Sequence, residues 1–252
     1  MPGSLLRRYA EHKGRGYPDW ALRYGPIVRG LTDMLRRGGP VLEIGANANG
    51  LARFAGRRVI AVDIELEQLQ ACRASQDVLP VRADINALPF RDAAFDAVVS
   101  VDTYEHLPSA ARNGATHEIL RVLRAKGTGV VTFPSGAAAV AAEATIRAEY
   151  RAYTGNTLRW LEEHVEHGLP DADAIIADFR DAAGDTRSIA LEGNANIGVW
   201  VWTWRVLMCG WPGRGNALAQ VLLLWLTSLL ARWHRAPCYR AMIWIRPKDA
   251  RR

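Results

Sequence analysis

Cysteine and lysine are what this chain has least of. Its three cysteines, Cys72, Cys209 and Cys238, stand far apart and fit no metal-binding spacing. Neither a disulfide framework nor a zinc site is therefore expected, no metal ligands are assigned, and a reducing cytoplasmic setting follows. Lys13, Lys126 and Lys248 are the only lysines among 32 basic residues, so the net charge of +6 is almost wholly arginine. No lysine cluster or basic helix concentrates it, and a nucleic-acid partner is not expected. The opening residues Met1 to Arg8 lack the long apolar core of a signal peptide, which argues against export.

What the chain does have is apolar content: 49% of its 252 residues are hydrophobic, enough for one sizeable core with an embellishment. We expect a single domain over 1–252. The most informative stretch is Val41-Leu-Glu-Ile-Gly-Ala-Asn-Ala-Asn-Gly50, followed by Val59-Ile-Ala-Val-Asp63. Val41 to Ile44 reads as a short buried strand, and Gly45 has the backbone freedom to turn the chain into a helix near Asn49. That helix would end near residue 55, and its N-terminus would face a ligand. Asp63 closes a second apolar run 18 residues after Gly45, about where an acid accepts hydrogen bonds from ribose hydroxyls.

Gly45, Gly50 and Asp63 partly fit a dinucleotide fingerprint, but Asn47 occupies the place of its second glycine. Downstream, a third strand ends in Asp84 and a fourth opens at Phe95-Asp96. Then follow Glu105-His106-Leu107-Pro108, a helix near 113–125, the turn Lys126-Gly127 and the strand Gly129 to Phe133. In this order the residues resemble the class I S-adenosylmethionine (SAM) dependent methyltransferases, in the small-molecule branch termed type 11. The resemblance spans roughly residues 38 to 135. It implies a Rossmann-like α/β fold with a mainly parallel seven-stranded sheet, helices on both faces, and SAM as cofactor. It also implies that leading helices within 4–37 close over the cofactor.

Carried onto this sequence, the resemblance puts Glu43, Gly45, Ala46 and Asn47 at the methionine end of SAM, with Glu43 near its amino group. Asp63 would hold the ribose and Ile64 would lie beside the adenine. Asp84 would accept from the adenine amino group, Ile85 would cover the ring, and Val101 would lie near the methionine portion. Family members usually carry G-x-G-x-G, and Asn47 and Asn49 replace the second and third glycines here. SAM has no phosphate, so the change should cost less than it would at a dinucleotide site.

After Pro134 the pattern becomes helical: Ala137 to Ala152, Leu158 to His167 stopped by Gly168-Leu-Pro170, and Asp171 to Asp181 with Asp171 near its cap. These segments, within 136–185, resemble the lid on which substrate choice rests. A strand over Thr186 to Leu191 and a final strand from Tyr239 to Ile245 should flank a helical insertion at 197–235. Seven of nine tryptophans lie between Trp200 and Trp244, and Asn216 to Ala231 carries no charge. A helix of that length reaches about 25 Å, short of the ~30 Å hydrocarbon layer, and its neighbour carries Arg205, so a transmembrane pair is disfavoured. Two readings stay open: a hairpin packed on the sheet or in a homodimer, and a surface at the inner face of a membrane with Arg214, Arg232 and Arg235 near acidic lipid.

For chemistry, His106 is the candidate general base because it follows the fourth strand on the cofactor side. Tyr104, His164 and His167 are candidate acceptor contacts, and Glu105 could help shape the pocket. Each has a simpler role as a packing or surface residue. The expected activity is methyl transfer from SAM to a small-molecule, glycan or lipid-linked acceptor, most plainly at oxygen. The alternatives are an NAD(P)-dependent oxidoreductase and a non-catalytic scaffold.

Overall fold

A computed structural model describes residues 18–46, 50–72, 77–230 and 232–248. Asn47, Asn49 and the start of the expected leading helices lie outside these. The elements are α1 (Pro18–Gly30), α2 (Thr32–Arg36), β1 (Val41–Ile44), α3 (Leu51–Ala55), β2 (Val59–Asp63), α4 (Leu66–Cys72), β3 (Val78–Arg82) and β4 (Phe95–Val101). They continue as a 3-10 turn (Tyr104–His106), α5 (Ser109–Val122), β5 (Leu123–Pro134), α6 (Ala137–Thr154), α7 (Arg159–His167) and α8 (Ala172–Ala183). The last are β6 (Arg187–Asn196), α9 (Ile197–Met208), α10 (Asn216–Leu230) and β7 (Cys238–Pro247).

The seven strands form one sheet in the order β3-β2-β1-β4-β5-β7-β6. The pairs from β3 to β5 are parallel, and β7 runs antiparallel between β5 and β6. Both faces are covered, which is why the central strands are continuous apolar runs. On β4, Phe95 and Val98 pack on one side while Ala97, Val99 and Val101 pack on the other. The first side is closed by α5 and α8 through Ile119, Ile175 and Phe179, the second by α1 and α3 through Tyr24, Ile27 and Leu51. Full burial of one such side chain contributes roughly 1.5–3 kcal/mol.

The strand order reverses between β1 and β4, so the loops after these two strands diverge and leave a crevice beyond their carboxyl ends. Gly45 makes the first turn with φ +81°, and a Cβ there would run into Thr103 Oγ1. Of the three helices in the segment expected to form a lid, α7 faces the strand carboxyl ends, whereas α8 packs on the sheet. Asp171 caps α8 by accepting from the amides of Asp173 and Ala174 at 2.8 and 3.0 Å. The insertion is a helical hairpin, α9 and α10. Trp200 of α9 is fully buried and stacked on Tyr239 with ring centroids 3.9 Å apart.

Candidate functional site

A cavity of about 1030 Å³ opens at the strand carboxyl ends, near the upper end of the ~300–1,000 Å³ common for small-molecule sites. The loops after β1, β2 and β3 bring Gly45, Ala46, Asp63, Ile64, Asp84 and Ile85 to its wall. Val101 and the 3-10 turn add the next section, and α7 faces it with His164 and His167. Each aspartate also closes its own loop. Asp63 Oδ1 accepts from the Glu65 amide at 2.7 Å, and Asp84 Oδ1 accepts from the Asn86 amide at 2.8 Å. Burial pushes the Asp63 carboxyl up, and backbone amides partly offset the effect. Beside it, Ile64 is 57% exposed, an apolar surface at the cavity wall.

Two expected contacts lie elsewhere. Tyr104 is fully buried, stacked at 5.8 Å on Phe133, with its hydroxyl 3.2 Å from Thr116 Oγ1. Its side chain therefore belongs to the core and does not line the cavity. Glu43 is also off the wall and buried, because side chains alternate along β1 and send it beneath the turn. Both its oxygens accept from the Leu51 amide at 2.9 Å, and Tyr24 donates to it at 2.7 Å. Glu43 thus supplies the acceptor that the first turn of α3 would otherwise lack. Burial drives its carboxyl up to about 7, against the lowering effect of Leu51 and Tyr24.

The sequence reading missed a charged cluster behind this wall. Asp102, directly after β4, is buried and receives Arg240 Nε at 2.8 and 2.9 Å and Arg23 Nη1 at 3.1 Å. Burial alone would raise its carboxyl, but Arg240 and Arg23 outweigh that and hold it below the ordinary range. Glu105 is buried close by, and desolvation, reinforced by Asp102, raises its carboxyl far above the usual value. His106 Nδ1 lies 3.1 Å from Glu163 Oε2. Burial and then His164 lower the His106 pKa, so the ring is neutral at pH 7. His164 Nδ1 lies 2.9 Å from Glu143 Oε1, which also receives the Tyr239 hydroxyl at 2.6 Å. Trp160 of α7 and Trp204 of α9 line the same cavity, so the tryptophan-rich insertion contributes to the site.

Asp102 could have been found by the rule that selected Asp63 and Asp84, an acid at a strand's carboxyl end. Its arginines could not, since α1 and β7 deliver them from distant parts of the chain.

Residues 42–131 match the family model described as a methyltransferase domain. Among solved structures, the chain is similar to a SAM-dependent methyltransferase from Thermotoga maritima at 14% identity and a TM-score of 0.54, covering 98% of this chain and 100% of that one. It is also similar to a chain of the complex between the Haloferax volcanii Trm112 methyltransferase activator and a methyltransferase. That likeness has 17% identity and a TM-score of 0.52, covering 92% of this chain and 97% of the other. The [4+2]-cyclase SpnF matches at 17% identity and a TM-score of 0.53, over 86% of this chain and 80% of its own. The likenesses show the fold, and the match over β1 to β5 shows a methyltransferase domain within residues 42–131, for which SAM is the implied cofactor.

Proposed function

We propose that the enzyme moves the SAM methyl group to an oxygen of a small-molecule, glycan or lipid-linked acceptor. The observation that supports this most is the double lining of the cavity, by the loops after β1, β2 and β3 and by the turn and lid residues His106, Trp160, His164 and His167. In this reading Asp63 accepts from the ribose hydroxyls and Asp84 from the adenine amino group. Ile64 and Ile85 flank the adenine ring, while Gly45, Ala46 and Val101 lie along the methionine portion.

The acceptor occupies the lid side, against Trp160 and Trp204. Methyl transfer is an in-line displacement, so alignment and exclusion of water are the main demands on the protein. The S–CH₃ bonding pair goes to sulfur, the acceptor oxygen forms the new C–O bond, and its proton passes to His106. His106 suits that role because it is neutral at pH 7 and paired with Glu163. Trp204 belongs to the same hairpin as α10, whose outer face exposes Leu218, Leu222, Trp225 and Leu229. A greasy acceptor entering from a lipid surface would meet both.

Incubating the protein with deuteromethyl-labelled SAM and a metabolite or lipid extract should give a labelled product detectable by mass spectrometry. A protein that binds SAM yet labels nothing across such extracts would sink the transfer reading. It would favour a second one, a non-transferring role, for which the shared fold of the cyclase SpnF is the supporting observation. Calorimetric binding of NAD in place of SAM would overturn both.

A further inference from the structure

We infer that Glu105, His106 and His164 form a binding site for one divalent first-row transition ion, such as Zn²⁺, on the acceptor side of the cavity. Each offers one ligand atom, and the three atoms lie within 4.8 Å of one another. Contraction by roughly an ångström would bring two nitrogens and one oxygen to the ~2.0–2.2 Å that such an ion requires.

Two of the groups are buried and each has one ligand atom without a hydrogen bond. Glu105 is 1% exposed and its Oε2 has no hydrogen bond. His164 is 4% exposed, and its Nε2 is likewise without a hydrogen bond, 3.9 Å from Glu105 Oε1. Buried polar atoms are rarely left so, and a missing ion is one explanation.

The histidines are also prepared in the way metal ligands are. A ligating histidine typically gives its other ring N–H to a carboxylate, which fixes the tautomer and aims the remaining lone pair at the metal. Here His164 Nδ1 meets Glu143 Oε1 at 2.9 Å, and His106 Nδ1 meets Glu163 Oε2 at 3.1 Å. The Tyr239 hydroxyl at 2.6 Å holds Glu143 in place. Asp102 is committed to Arg23 and Arg240 and is not needed as a fourth ligand. Two histidines and one carboxylate leave coordination positions open, and all three residues line the cavity.

The ion site stands on this geometry alone. Its role rests on the methyl-transfer reading: the open positions would take an acceptor hydroxyl and a neighbouring oxygen, and the ion would favour the deprotonated hydroxyl. His106 would then hold the ion instead of removing the proton itself.

The test uses tag-free full-length protein, stripped with chelator and titrated with Co²⁺, with visible absorption and elemental analysis as readouts and SAM binding measured separately by calorimetry. One equivalent of Co²⁺ should bind and be displaced by Zn²⁺. His106→Ala and His164→Ala should each weaken binding at least tenfold, and Glu143→Gln, acting through His164, by about 10- to 100-fold. Asp84→Ala should leave Co²⁺ binding intact while weakening SAM. The half-exposed His106 keeps the test decisive if the buried variants misfold. Absence of stoichiometric Co²⁺, or binding unchanged in His106→Ala, overturns the ion site and leaves methyl transfer standing. Co²⁺ binding without SAM binding supports the ion site and overturns the other reading.

Discussion

Asp63 and Asp84 each spend one carboxylate oxygen on their own loop, so their second oxygens are the ones a nucleoside can use. Replacing either by alanine should weaken SAM binding by roughly 1–3 kcal/mol, the cost of a buried acceptor lost to a ligand. Calorimetry checks this, and Asp63→Asn separates the effects because an amide oxygen can still close the loop. Unchanged affinity in both alanine variants would end the assignment. Glu43 gives a second prediction. Its folded value of about 7 lies above the ordinary 4.5, so between these pH values the folded state binds the extra proton and stability falls as pH rises. The loss should reach roughly 3 kcal/mol by pH 7 and above, and Glu43→Gln should remove most of that slope in urea denaturation at pH 5 and 8. Glu43 also marks where sequence reading stops. Its place beside the glycine turn was legible, but its contact with Tyr24 was not, because α1 had no visible register against β1.

Elements were more legible than their contacts. The parallel strands and the helices after Pro134 announce themselves by apolar runs, by Gly168 and Pro170, and by the Asp171 cap, all local signals. Strand β5 was expected over Gly129–Phe133 yet begins at Leu123. A register shift against β4, between Phe95 and Ala97, absorbs the Lys126-Gly127 turn into the strand, and no composition signal marks it. The charged cluster was illegible for a simpler reason: Asp102 meets Arg240 across 138 residues, and Glu143 meets Tyr239 across 96. The insertion helix α9 is tied into this cluster from outside. Trp200 stacks on Tyr239 and packs with Ile146 of α6 and Leu161 of α7. Trp200→Ala should therefore cost about 3–5 kcal/mol, read as a lower urea midpoint. It should also lower the affinity for acceptor by loosening Trp204 and His164. A midpoint shift near zero would mean that the hairpin does not anchor α6 and α7.

Across the whole molecule, the hairpin presents two different faces. Ala219 and Leu223 of α10 pack inward with Val206 of α9, while Leu218, Leu222, Trp225, Leu226 and Leu229 follow helical spacing on the opposite side, Trp225 being 75% exposed. A packed hairpin was one of the two readings the sequence left open, and packing occupies only one side of it. Among the described residues no helix is long and apolar enough to cross a membrane. In the proposed contact with a lipid surface, exposed Arg214, Arg232 and Arg235 near the ends of this stripe would favour anionic lipid. Trp225 and Trp233 would sit at headgroup depth, where tryptophan is enriched. The protein should therefore sediment with vesicles containing anionic phospholipid, less so as salt screens the arginines. Trp225→Asp with Leu229→Asp should abolish sedimentation while changing folding stability by no more than about 0.5 kcal/mol per site, because both side chains are exposed. Wild-type protein that ignores such vesicles but sediments as a dimer in ultracentrifugation, and becomes monomeric in the double variant, would assign the stripe to a second copy of the chain instead.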